Sequence, residues 1–197
     1  MDIGEFLSGI SSVDLLLFLY FAGFFVLGFA QGTIRRLIGL ASVLFSFFFA
    51  ANIAEPLGQF LGSNWTQFTR EYSYMIGFLT VFVGASVAFA LVAQGWYKPQ
   101  PLFEKARFVD EVLGGLLGIV QAGVIFGAIL VILGTFFLNP LIPADSDELP
   151  VLRDLWDALT QSQIGQLFMD TIIPAFFSIF GFLMPASVTA PYVGRGS

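Results

Sequence analysis

Side chains able to do chemistry are few in this chain, and they gather at the edges of long apolar runs. Asp110 opens one run, Phe108 to Leu138, while Arg35 and Arg36 lie between two others. An acid and a base at one membrane boundary form a candidate ion pair, Asp110 with Arg35 or Arg36, that would set the register of their helices. The competing reading is local. Asp110 then caps its own helix, and the arginines extend toward lipid headgroups. Gln121 lies deep within the same run, where an unpaired amide is costly. It either lines a polar path or subunit contact, or hydrogen-bonds a neighbouring helix as packing glue, the favoured use. Asp14 stands a membrane's width from Asp110, so the two form no catalytic carboxylate dyad. Asp145, Asp147 and Glu148 could hold a divalent cation. They lack the loop spacing of a calcium site, and read better as a solvated helix start.

The chain has no cysteine and no histidine. Disulfides, zinc sites of Cys/His type, thiol and Ser-His nucleophiles and histidine relays are therefore excluded. It also contains no phosphate-binding glycine loop, metalloprotease motif or nucleophile elbow. Neither enzymatic activity, nor a cofactor, nor a metal is expected. With 57% hydrophobic and 11% charged residues, a chain of 197 residues could not hide its apolar surface in water. The lipid bilayer is its expected partner. Only 8 Lys and Arg against 14 Asp and Glu argue against nucleic acid.

The elements that must position these groups are all-α: a polytopic membrane helix bundle of four transmembrane helices, plus interfacial or re-entrant C-terminal helices. The predicted spans are Val13 to Ala30, Leu37 to Ala54, Tyr74 to Val92 and Phe108 to Leu138. Small residues mark their contacts, because in lipid they let two backbones approach closely. Gly28 and Gly32 are one turn apart in the first span. On the fourth, Gly114, Gly118 and Ala122 share a face with Asp110 and Gln121, and Gly123, Gly127 and Gly134 gather opposite. Two small faces predict a helix with neighbours on both sides, at the bundle's centre. Gly39, Ser42, Ser46 and Ala50 line the second span, and Gly77, Thr80, Gly84 and Ala88 the third.

Asn52, Glu55 and Pro56 are expected to end the second span, with Leu57 to Ser73 forming an interfacial helix around Trp65. Two regions follow: a four-span bundle over 1–138 and an acidic extracytoplasmic tail over 139–197. The tail should hold a surface helix with Val151, Leu152, Leu155, Trp156 and Leu159 on one side. Ile172 to Met184, ~13 residues interrupted by Pro174, is too short to span comfortably and is expected to be re-entrant or interfacial. Beyond it the chain is expected to be loose to Ser197. Arg35 and Arg36 in one short loop, and Lys98, Lys105 and Arg107 in another, place both loops in the cytoplasm. The N-terminus and C-terminal region then lie outside. The opening residues lack the basic start and cleavage site of a signal peptide.

Asp14 before an apolar span, Gly28-x-x-Gln31-Gly32 and Arg35 in the turn beyond resemble the start of the colicin V production protein (CvpA) family. Asp110-Glu111-Val112-Leu113-Gly114-Gly115-Leu116-Leu117-Gly118 resembles that family's D-x-x-x-G-x-x-x-G opening of its last span. The resemblance runs from about Val13 to Leu138. Gln31 and Gln121 depart from it, since basic residues are common at both places. It implies a bacterial inner-membrane protein linked to bacteriocin production or export and to envelope upkeep, without defined chemistry. Homo-oligomers or other envelope proteins are the implied partners. The alternative is a small oligomeric channel or transporter lined by Gln121, Ser42, Ser46, Thr80 and Ser86. Against it stands the lack of any ionisable residue expected at mid-membrane.

Overall fold

The computed structural model describes residues 11–65, 69–96, 106–139 and 150–192, and among them there is no strand. The helices are α1 (Ser12–Gln31), α2 (Thr33–Asn64), α3 (Arg70–Trp96), α4 (Arg107–Phe137), α5 (Pro150–Gln161), α6 (Gln163–Leu167), α7 (Ile173–Phe180) and α8 (Ala186–Thr189). A π turn, Phe168–Ile172, joins α6 to α7, and a 3-10 turn, Gly181–Leu183, follows α7. As the paired small-residue faces predict, α4 is central, packing on α1, α2, α3, α5, α8 and the π turn.

The α1–α4 contact is backbone on backbone. A Cβ at Gly118 would strike the Phe24 carbonyl, and one at Gly28 the Gly114 carbonyl. The opposite face of α4 takes the C-terminal segment: Gly123 and Gly127 lie 3.5 and 3.6 Å, measured from an ideal Cβ, from the Phe168 ring. Both glycine faces are therefore used, each for a different neighbour.

Helix α2 does not stop at Pro56, and no separate interfacial helix forms. It runs through the proline to Asn64, and its extension pairs with the start of α3. The loss of one amide donor at Pro56 weakens a helix locally. It is offset here by close packing: an ideal Cβ on Gly58 would lie 2.8 Å from the Tyr74 Cα, and Leu57 and Leu61 cover Gly77. At 32 residues α2 is about 48 Å long, more than the ~30 Å hydrocarbon core. The small stripe predicted on α3 also divides. Gly77 packs inward, but Thr80, Gly84 and Ala88 are exposed. Tyr72, Met75, Phe78 and Phe82 face the core instead, with Phe78 and Phe82 on Phe47. Close approach at Gly58 and Gly77 joins the outer ends of these two helices, and aromatic bulk joins them further along.

The C-terminal region folds onto the bundle. Trp156 of α5 stacks on Phe137 at 5.5 Å. Gln163–Leu183 is continuous and apolar, so five segments rather than four have the length and composition to cross a membrane. The break expected at Pro174 is absorbed by the wide π turn before it, where the proline ring needs room from the carbonyl four residues back. Both ends of this segment are nonetheless held at one end of the bundle. Its first amides bond Asp14, and the Leu183 carbonyl accepts from Asn52 Nδ2 at 3.1 Å. Asp14 and Asn52 are each on the order of 30 Å along their helices from Gly32, where α1 turns into α2.

The expected loose tail is also packed as far as it is described. Tyr192 is fully buried, its hydroxyl donating to the Leu130 carbonyl at 3.3 Å beside Gly134. Tyr192→Phe should lower stability in detergent by about 1 kcal/mol, one hydrogen bond. Tyr192→Ala should cost about 3 kcal/mol or more through the cavity it leaves. Equal melting temperatures for all three proteins would show that the tail contributes nothing to the bundle.

Candidate functional site

The polar side chains converge where α1 turns into α2 beside the start of α4. Gly32 makes the turn, with φ at +75°, a left-handed conformation that a side chain would strain. A Cβ there would also stand 2.5 Å from Asp110 Oδ2. The next residue, Thr33, donates its hydroxyl to the Asp110 carbonyl at 2.9 Å. Asp110 is buried in the first turn of α4, where a carboxylate complements the helix dipole. It therefore holds the α1–α2 turn. The helix is capped at Ala106 without a side-chain bond, so Asp110 is not its N-cap.

The predicted pairing of Asp110 with an arginine is not what joins these helices. Arg36 points into the bundle and donates from Nη1 to Gln121 Oε1 at 2.9 Å. Its guanidinium lies over the Phe24 ring, 5.6 Å from the centroid, and the residue is only 6% exposed. Arg35 is exposed. Of the two arginines only Arg35 is on the outer surface of the bundle. Among pairs of described residues the one ion pair is Arg107 with Glu111, at 2.9 Å. Gln121 thus hydrogen-bonds a neighbouring helix, as its packing-glue reading requires, but its partner is a cation. Its amide lies over Gly39, whose ideal Cβ would be 3.1 Å from Nε2.

Around Arg36 is a cavity of about 450 Å³ bounded by α1, α2, α3 and Gln121 of α4. It is walled by Phe24, Leu27, Ile38 and Ala93, with Arg35, Arg36, Ser42 and Gln121 supplying polar groups. A second, almost wholly apolar cavity of about 260 Å³ separates α4 from Phe168 and Phe176.

Asp14 forms a second polar junction at the other end. Ser11 caps α1, its Oγ accepting from the Asp14 amide at 3.0 Å and donating to Asp14 Oδ2 at 2.8 Å. The same carboxylate accepts from the amides of Ile164 at 3.1 Å and Gln163 at 3.3 Å. Ser162 Oγ takes the Gly165 amide, so three of the four open amides at the start of α6 are served. The sequence shows Asp14 only as an acid before the first apolar span, and this second role goes unread there. Ser162-x-x-Gly165 was the available signal for the helix start, but nothing in it named the distant acid. The Arg36–Gln121 bond was nearer to hand, because Arg36 precedes Gly39 by one turn on the small stripe of α2.

No group of metal-ligating side chains occurs among the described residues. Asp145, Asp147, Glu148, Lys98 and Lys105 lie outside them.

The model of the family described as colicin V production protein matches residues 13–173, from the start of α1 into α7. The chain belongs to the colicin V production protein family. No individual curated protein and no solved structure matches it. In this colicin V production protein family member the match passes well beyond Leu138, where the motifs readable in the sequence end. It takes in α5, α6 and the π turn, the last two joined to α1 through Asp14 and Phe21. Family membership and the long apolar helices together make it a helical membrane protein.

Proposed function

We propose that this chain is a non-enzymatic factor of the bacterial inner membrane serving bacteriocin production or export and envelope maintenance. The family match over residues 13–173 is the observation that supports it. The disposition of polar groups is consistent: Asp14 and Asp110 join helices, and they lie at opposite ends of α1 and α4. In this reading four helices, α1 to α4, cross the bilayer, and Gln163–Leu183 lies against the bundle on the side of Asp14 as an interfacial segment. The basic turns face the cytoplasm, and the N-terminus and C-terminal region face outward. Partners are other envelope proteins or further copies of the chain.

The test is complementation of a bacterium lacking its own family member. The wild-type chain should restore bacteriocin release and growth under detergent stress. A chain that reaches normal abundance in the membrane yet restores neither would remove the reading. Introduced cysteines, unambiguous because the native chain has none, should react from outside at the exposed positions Gln161 and Ser187. Labelling at one of these sites from the cytoplasm alone would replace the interfacial segment with a true fifth span.

A channel or transporter is the second reading, favoured by one observation: the 450 Å³ cavity holds a buried arginine beside Gln121. Ion or solute flux in liposomes that is lost in Gln121→Leu would support it. Liposomes without flux for either protein would remove it.

A further inference from the structure

Arg36 presents an unsolved electrostatic problem. It is 6% exposed, and Nη1 is engaged by the neutral Gln121, but Nε is buried with no acceptor. Among the described residues it has no carboxylate partner within ion-pair distance. A guanidinium withdrawn from water costs several kcal/mol unless an anion or a full set of acceptors compensates. The Phe24 ring and one amide oxygen supply only part of that.

The surroundings indicate what completes it. Arg36 lines the 450 Å³ cavity, a volume in the usual range for a small-ligand site. Arg35 stands at the same cavity, exposed, so two cations converge there. With Nη1 held by Gln121 and Nε enclosed, Nη2 is the guanidinium nitrogen left neither bonded nor enclosed at the cavity. From there a guanidinium makes a charge-assisted bond to an oxyanion. The remaining walls are apolar, and Leu27 among them is half exposed on the outer surface of α1. Helices α1 and α2 diverge from Gly32 with few contacts between them, which opens the cavity sideways toward the bilayer. A ligand that satisfies both features carries a phosphate or similar oxyanion on an apolar body.

We propose that this cavity binds the phosphate group of an anionic phospholipid, with Arg36 as its principal ligand, Arg35 at the mouth and the acyl chains leaving past Leu27. Gln121 is a positioning residue. By holding Nη1 it fixes the Arg36 guanidinium at the cavity wall. The inference does not rest on the bacteriocin reading and survives its failure.

The test uses the full chain, delipidated and returned to phosphatidylcholine nanodiscs with or without phosphatidylglycerol, with inorganic phosphate as a separate arm. Phosphatidylglycerol should raise the melting temperature saturably and be retained in native mass spectra, while inorganic phosphate should do neither at comparable concentration. Arg36→Lys should weaken retention on the order of tenfold or more, the worth of one charge-assisted bond. Ala90→Phe on α3 fills the cavity without touching either arginine, and should abolish retention even if Arg36→Gln fails to fold. Stabilisation by inorganic phosphate alone would overturn the lipid source. Phosphatidylglycerol retention that persists unchanged in Ala90→Phe and in folded Arg36→Gln would overturn the site.

Discussion

Gly118→Leu should leave little folded protein after extraction in mild detergent, with the remainder aggregated on gel filtration. At this position even the first added carbon would strike the Phe24 carbonyl and crowd the Gly28 Cα. Backbone cannot step aside as a flexible side chain does, so α1 and α4 must separate along the whole contact that includes Gly28 and Gly114. Overpacking a well-fitted core by a few methylenes costs about 1–3 kcal/mol, and displacement of a helix exceeds that range. The sign of the smaller change is informative. An Ala in place of a helical Gly ordinarily stabilises by about 0.5–1 kcal/mol, yet Gly118→Ala should destabilise. Gly84→Ala is the control: an added Cβ there meets nothing within 4 Å, so it should be neutral or slightly stabilising. Unchanged yield and oligomer distribution for Gly118→Leu would remove the backbone contact from the account of this fold.

Asp14→Ala should release the C-terminal segment while the four-helix bundle stays folded. The carboxylate, in a residue 8% exposed, joins the starts of two helices far apart in sequence, accepting from the Ser11 hydroxyl at one and from the Gln163 and Ile164 amides at the other. Loss of a cap costs ~1 kcal/mol, and charge-assisted bonds to buried amides about 1.5–3 kcal/mol, so the total should approach ~3 kcal/mol. Hydrogen exchange should quicken at Gln163, Ile164 and Gly165, and proteolysis should begin near Ser162. Asp14→Asn keeps one carbonyl oxygen and should fall between. Exchange at these amides identical to wild type would show that the junction is held by Phe21, Phe126 and Phe168 instead.

The central position of α4 was legible because two glycine faces on one apolar helix call for two close neighbours, and Phe168 and α1 are those neighbours. The α3 stripe misled for the same reason inverted. Thr80, Gly84 and Ala88 obey the small-residue spacing but face outward, since Phe47 demands aromatic partners from the other side of α3. Pro56 reads as a stop in any single helix. Only the neighbouring Tyr74 and Gly77, which hold the extension in place, reveal that the helix continues. The acid–base pairing failed because charge sign and membrane level narrow the choice of partners without settling it. Arg36 reached inward to Gln121, over a space that Gly39 leaves open.

Composition and spacing by themselves determined the membrane helices, the absence of cysteine and histidine chemistry, the small-residue faces of α1 and α4 and the family resemblance. These follow from local quantities: hydropathy over a helix length, and side-chain size at one-turn intervals. Tertiary structure alone decided that Asp14 caps a helix 150 residues away, that Arg36 is buried with no carboxylate partner among the described residues, and that both ends of Gln163–Leu183 are held at one end of the bundle. Each of those depends on which surfaces meet. A hydrogen-bond donor or a buried charge is settled by whatever neighbour the packing brings, and no one-dimensional period records that neighbour's identity.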